Sequence, residues 1–246
     1  MEKNKKQILI YIPMRNTAGQ LEATLRRIPA GIEAEYLAVD NGSKDNSVEL
    51  ANNLGLHVIR HHFDRGYGAS QKTAYSYALG KGADFVVMLH SDGQYDPKYL
   101  PDILGPLLKD EADFVFGSRI KGKGALAGGM PSWKYISNLF LTRFENFILG
   151  SSLSEFHSGY RAFSMKLLER VPFLYNSDSW LFDSEIIFQI KNLGFRIKEI
   201  PISTSYHKGA SSVGFFEGVE YGLSIFWLSF KYLLHRYGII KQKQFM

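Results

Sequence analysis

The sequence predicts an α/β protein with a single mostly parallel central sheet flanked by helices and an amphipathic helix at its C-terminal end. Three observations carry that prediction. Short apolar runs rich in β-branched and aromatic residues alternate with stretches of helical spacing, turn formers close nearly every run, and 45% hydrophobic residues in a chain of 246 supply a core. Ile8 to Ile12 reads as a buried first strand stopped by Pro13, after which Leu21, Leu25 and Ile28 recur at helical spacing up to Pro29. Tyr36 to Val39 is a second strand, broken by Asp40-Asn41-Gly42-Ser43, and Asp45 to Ser47 can cap the next helix. His57 to Arg60 is a third strand, followed by Arg65-Gly66-Tyr67-Gly68 and a helix from Ala69 to Leu79. Phe85 to Leu89 is a fourth strand, after which Pro97 suits a helix first turn, and Phe114 to Phe116 is a fifth. Beyond Gly117, a loop with Gly122, Gly124, Gly128 and Gly129 precedes an amphipathic segment from Trp133 to Leu149. A helix from Ser184 to Leu193, a strand near Phe195 to Ile200 and an apolar last helix from Phe215 to about Tyr237 complete the series. Residues 1–212 are expected to form one domain, with 213–246 as a helix and basic tail.

Composition excludes several chemistries. With no cysteine there is no disulfide framework, thiolate nucleophile, zinc ribbon or Cys-ligated iron–sulfur cluster. The polar start, Met1 to Gln7, and the short apolar run behind it suit neither a signal peptide nor a membrane span, so a cytoplasmic protein is expected. The formal charge is +5, of which Lys231, Arg236, Lys241 and Lys243 supply four with no acid after Glu220. No basic stripe with interleaved aromatics marks a nucleic-acid surface, and no nucleic-acid partner is expected. The last helix is interrupted by Glu220, Lys231 and Arg236, well short of the roughly 18 apolar residues a span needs. With Trp227, Tyr232 and Tyr237 beside basic residues, 215–240 fits a helix lying on a membrane surface. A core helix or an interface between copies in a homo-oligomer is the equal alternative.

In an open parallel sheet, ligands bind beyond the carboxyl ends of the strands. Four such ends carry suggestive groups: Pro13-Met14-Arg15-Asn16, Asp40-Asn41-Gly42-Ser43, His90-Ser91-Asp92-Gly93-Gln94 and Gly117-Ser118-Arg119. Each alone is compatible with turn chemistry, whereas four in succession point to one functional rim. Together with Gly66-Tyr67-Gly68, Tyr95-Asp96-Pro97 and Ser158-Gly159-Tyr160-Arg161, the ordered set resembles family 2 glycosyltransferases of GT-A fold. The resemblance is strongest to the dolichyl/polyprenyl-phosphate branch and extends from about Gln7 to Ser212.

That resemblance implies an inverting transferase with a nucleotide-sugar donor held by residues 1–119 and an acceptor by about 120–212. Pro13, Arg15, Val39 and Asp40 would surround base and ribose, Gly66 and Gly68 would let the backbone approach the donor, and Ser91 and Asp92 would lie at its phosphates. Lys72 reaches the donor or is simply a solvated helix lysine. His90-Ser91-Asp92 occupies the place of the D-x-D motif, so Asp92, with Gln94 and His90 as further candidates, would hold Mg²⁺ or Mn²⁺. Arg15, Thr17 and Asn41 depart from the family pattern where the base is read, leaving the donor open between UDP and GDP sugars. Arg119 and Arg161 resemble the family's phosphate-binding basic residues; the alternative for Arg161 is a buried ion pair with Glu155 or Asp183. Lys134 would meet an acceptor phosphate, and His207-Lys208-Gly209 with Ser211-Ser212 resembles a late loop that folds over donor phosphates.

A lipid-phosphate acceptor is already an oxyanion, whereas a sugar hydroxyl needs a base, for which Asp183 and Glu185 are candidates. The expected reaction is therefore transfer to a polyprenyl phosphate or lipid-linked glycan in cell-envelope glycan synthesis, at the cytoplasmic face of the membrane. Extension of a polysaccharide on a sugar hydroxyl, or non-catalytic nucleotide-sugar binding, are the alternatives.

Overall fold

The computed structural model describes residues 6–206 and 214–246. Seven strands form one sheet: β1 (Ile8–Met14), β2 (Glu35–Asn41), β3 (His57–His61), β4 (Phe85–Met88), β5 (Phe114–Ser118), β6 (Arg161–Ser164) and β7 (Ile197–Pro201). Their spatial order is β3-β2-β1-β4-β6-β5-β7. All pairings are parallel except those of β6, which runs antiparallel to both β4 and β5. The helices are α1 (Ala18–Leu25), α2 (Ser47–Asn53), α3 (Tyr67–Lys81), α4 (Leu100–Leu108), α5 (Ser132–Leu149), α6 (Met165–Leu168), α7 (Phe182–Asn192) and α8 (Phe215–Arg236). One face of the sheet packs on α1, α2 and α4 through Ile10, Ile12, Leu21, Ala51 and Leu104. The other packs on α3, α7 and the inner side of α8 through Tyr11, Val39, Tyr75, Phe182 and Leu228.

Two strand boundaries differ from expectation for local reasons. Pro13 does not end β1, which continues to Met14 alongside β2. Tyr11 faces β4, since its carbonyl accepts from Leu89 N–H, and Pro13 faces the same way at a level that β4 no longer reaches. The missing N–H therefore costs no ladder bond, and the Pro13 carbonyl accepts from Ser91 Oγ at 3.0 Å. Arg161-Ala162-Phe163-Ser164, expected only as part of a motif, is a fully buried strand. Four residues with an arginine and a serine show no period to read. By inserting between β4 and β5, β6 joins both halves of the chain in one sheet.

Helix α8 packs on α5 and α7. Among the described residues, no helix is long and apolar enough to cross a membrane.

Candidate active site

The predicted rim forms at the carboxyl ends of β1, β2 and β4, and its loops are stitched to one another. Asn16, with φ at 52°, takes the Lys44 N–H on its side chain at 2.8 Å, and its own N–H donates to Ser43 Oγ at 2.9 Å. Asp40 is wholly buried, accepting the Ser43 N–H on both oxygens at 3.2 Å, with Arg60 Nε at 3.5 Å. Val39 is likewise buried in the core, while Arg15 is exposed and paired with Asp64 at 2.5 Å. Asn41 explains its own departure from the family pattern. Its amide donates to Asp64 at 2.5 Å and its carbonyl oxygen accepts from Arg65 N–H at 3.0 Å. An aspartate there would face Asp64 with no proton to offer.

The glycines at the start of α3 serve a different neighbour than expected. A Cβ at Gly66 would stand 2.3 Å from the Asp178 carbonyl oxygen, and one at Gly68 2.3 Å from that of Ser177. Their small size thus admits the 177–178 segment, which accepts the Gly68 N–H at 2.8 Å through the Asp178 carbonyl. Lys72 secures the same segment by donating to the Asn176 carbonyl and to Asp178 Oδ1.

A cavity of about 560 Å³ opens beside this rim, between α5 and α8. His90, Gln94, Arg119, Lys134 and Asp183 stand at its polar side, and Ile136, Phe140, Leu223 and Phe226 line its apolar side. Asp92 borders a second, polar cavity of about 410 Å³, and Gln94 borders both. Asp92 Oδ1 accepts the Gln94 N–H at 3.0 Å, which holds the turn that carries both side chains.

Several of these groups have defined electrostatics. His90 Nε2 is buried without a hydrogen-bond partner among the described residues, and burial lowers the ring below the usual histidine range, so its neutral, ligating form persists at neutral pH. Arg119 donates through Nε to Glu155 at 2.7 Å, through Nη1 to Tyr206 Oη at 2.7 Å and through Nη2 to the His157 carbonyl at 2.8 Å. Burial would raise the Glu155 carboxyl, but Arg119 and Asn138 outweigh it and keep the acid low. Burial and the charge of Arg119 both depress Lys134, with Glu217 opposing.

Arg161 does not reach the cavity. It is fully buried and donates to the carbonyls of Ser158, Asp183 and Phe156 at 2.7, 2.7 and 2.6 Å, with Asp183 Oδ1 at 3.5 Å. The ion-pair alternative is the observed one, because those carbonyls take the donors a phosphate would need. Asp183 also accepts from Gln71 Nε2 at 3.0 Å and Tyr67 Oη at 3.3 Å. Glu185 points elsewhere, toward Ser177 N–H at 2.6 Å and Gln244 Nε2 at 2.7 Å, and is no base for the cavity.

Sequence reasoning missed the aromatic wall. Trp180 stacks on Tyr67 at 4.2 Å and 24°, and Tyr67 on His90 at 6.1 Å and 27°. The aromatic between Gly66 and Gly68 was its available signal; Trp180 had none. The predicted late loop, His207 to Ser212, lies outside the described residues. Among the described residues, no three His, Asp or Glu side chains gather as a ready-made metal cage.

The sequence profile of glycosyl transferase family 2 matches residues 9–171. A UDP-N-acetylglucosamine–dolichyl-phosphate N-acetylglucosaminyltransferase of Methanococcus voltae is 28% identical over 90% of this chain and 94% of its own. A dolichyl-phosphate hexose transferase of Haloferax volcanii is 30% identical over 81% and 82%. In fold, the chain resembles glucosyl-3-phosphoglycerate synthase of Mycobacterium tuberculosis, solved with Mn²⁺, UDP and glucosyl-3-phosphoglycerate, with a TM-score of 0.66 at 20% identity over 97% of this chain and 82% of that one. The β1–β4 rim, the one mixed sheet and the matched profile together place the chain in glycosyl transferase family 2, as a glycosyltransferase of GT-A fold.

Proposed function

We propose that the enzyme moves a sugar, with inversion, from a UDP- or GDP-linked donor to a polyprenyl phosphate or related lipid-linked acceptor. The observation that carries this reading is the apolar cavity between α5 and α8 with Arg119 and Lys134 at its polar side. A hydrocarbon chain would lie along Ile136, Phe140, Leu223 and Phe226, leaving its phosphate at the two cations. The names of the Methanococcus and Haloferax relatives support the same acceptor class. In this reading residues 1–119 form the donor half and about 120–212 the acceptor half.

The phosphate oxygen attacks the anomeric carbon, forming the new C–O bond as the bond to the donor's diphosphate breaks. No proton need be removed from a phosphate that is already anionic. Arg119, fixed by Glu155 and Tyr206, holds and orients the nucleophile at little reorganisation cost. Asp92, with His90 and Gln94, would hold a divalent ion, Mg²⁺ or Mn²⁺; the His90 Nε2, buried without a hydrogen-bond partner among the described residues, and the Asp92 carboxylate are donors of the type such an ion takes. When bound, the ion supplies positive charge against the departing nucleoside diphosphate.

The exposed outer faces of α5 and α8 would rest on the cytoplasmic surface of an anionic membrane, with the basic tail against its headgroups. Asp183, on the cavity wall, supports a second reading in which it deprotonates a sugar hydroxyl. Incubating the enzyme, Mn²⁺ and a panel of UDP and GDP sugars with undecaprenyl or dolichyl phosphate, and separately with free oligosaccharides, decides. Product on the lipid phosphate alone is expected, and product on free sugars alone would replace the first reading with the second.

A further inference from the structure

Beneath the polar side of the cavity lies a buried polar cluster that donor and acceptor chemistry does not use. Glu145, on the inner side of α5, is fully buried, and neither carboxyl oxygen makes a hydrogen bond of good geometry among the described residues. Its Oε2 stands 3.3 Å from His157 Nε2, and the Ser184 hydroxyl also faces it. On its other side His157 Nδ1 meets Tyr221 Oη at 2.8 Å, and Tyr221 Oη meets Ser184 Oγ at 3.2 Å. The cluster thus brings together α5, the segment before β6, α7 and the first turns of α8.

An ionised carboxylate here would be wholly desolvated beside the histidine. A single proton resolves the contact: the acid donates to Nε2, and Nδ1–H then donates to Tyr221 Oη. The His157 main chain continues this chain of contacts outward, because its carbonyl accepts Arg119 Nη2 at 2.8 Å. We propose that Glu145 and His157 share one proton across this buried contact and act as a positioning pair, fixing Arg119 on one side of the cavity and the start of α8 on the other.

The surrounding charges agree with one proton rather than an ion pair. Burial raises Glu145 to about 8, against the opposing pull of Ser184 and Arg161, and burial lowers His157 to about 3, with Glu155 opposing and Arg119 and Arg161 assisting. Tyr221, the remaining titratable neighbour, is raised by burial and by Glu145, and so stays protonated. Asp183 is held by Arg161. Because Glu145 is raised, its contribution is complete below its unfolded value and is lost as pH rises through about 8. His157, being lowered, acts in the opposite sense: its cost begins as pH falls below the ordinary histidine value of 6.5 and is complete near 3, and because the Glu145→Gln variant keeps His157 that cost is common to both proteins.

The test uses the full chain and its Glu145→Gln variant, whose amide keeps the uncharged shape. Melting temperatures are measured from pH 5 to pH 9. The wild type is expected to lose roughly 5–10 °C relative to the variant across that range. Hydrogen-exchange protection in segments 155–159 and 216–222, corrected for the intrinsic rate at each pH, should fall at pH 9 in the wild type and hold in the variant. Nitrogen-15 histidine spectra of the wild type should show a neutral His157 ring at pH 7. Parallel melting curves, matching exchange in the two proteins, or an imidazolium at pH 7 would each overturn the proposal. No substrate enters these measurements, so their failure is separate from any failure of the acceptor reading.

Discussion

At the ends of β1 and β2, polar side chains are engaged within their own turn or by a neighbouring loop: Asp40 by Ser43, Asn16 by Lys44, Asn41 and Arg15 by Asp64. Between α5 and α8 the reverse holds. Ile136 is 65% exposed, Phe140 60% and Leu223 64%, and all three also line the cavity, so its mouth and the exposed apolar face are one surface. A rim that satisfies itself is rigid before a ligand arrives, which suits recognition of a polar, multiply charged donor. An apolar mouth open to solvent suits a ligand that brings its own hydrocarbon. The two arginines divide in the same way. Arg161 is consumed by three carbonyls away from the cavity, whereas Arg119, although held by Glu155, Tyr206 and the His157 carbonyl, lines the cavity and has one Nη1 N–H beyond those bonds.

The largest expected effect separates those arginines. Arg161→Met should destabilise the fold by about 3–5 kcal/mol, since it orphans three buried carbonyls and leaves Asp183 without its cation. Urea unfolding would show it, and an Arg161→Met protein with wild-type stability but no transfer would erase the distinction. Next, Asp92→Asn should lower kcat by about 10²–10³-fold with little change in melting temperature, and should abolish any response to added Mn²⁺. Full metal-stimulated activity in that variant would remove Asp92 from the donor side. Smallest is the apolar mouth: Leu223→Glu should raise the KM for lipid phosphate about tenfold or more while the donor KM holds. Equal change in both constants would tie the mouth to the donor rim. The same variant should float less readily with anionic liposomes, and unchanged flotation would sink the membrane contact.

The rim was legible because turn residues follow each strand in order, and a strand end is a local feature of the chain. Arg161 was harder. Ser-Gly-Tyr-Arg reads equally as a binding motif or as structure, and only the insertion of β6 between β4 and β5 buries its guanidinium. Gly66 and Gly68 are expected from the sequence to admit the donor, whereas what stands against them is the 177–178 segment, more than a hundred residues away in the chain. Glu185 and Asp183 lie two positions apart on α7 yet point to different surroundings, one to the C-terminal Gln244 and the other to the cavity.

Six of the seven strands, the rim motifs, the absence of thiol chemistry and the basic tail are legible along the chain, because each depends on near neighbours or on composition. Tertiary structure decided which charged groups face a ligand. It joined the halves through β6, set α8 beside α5 to open the cavity, and buried Glu145 against His157. Burial and charge pairing belong to what the chain packs against, and spacing along the chain does not record it.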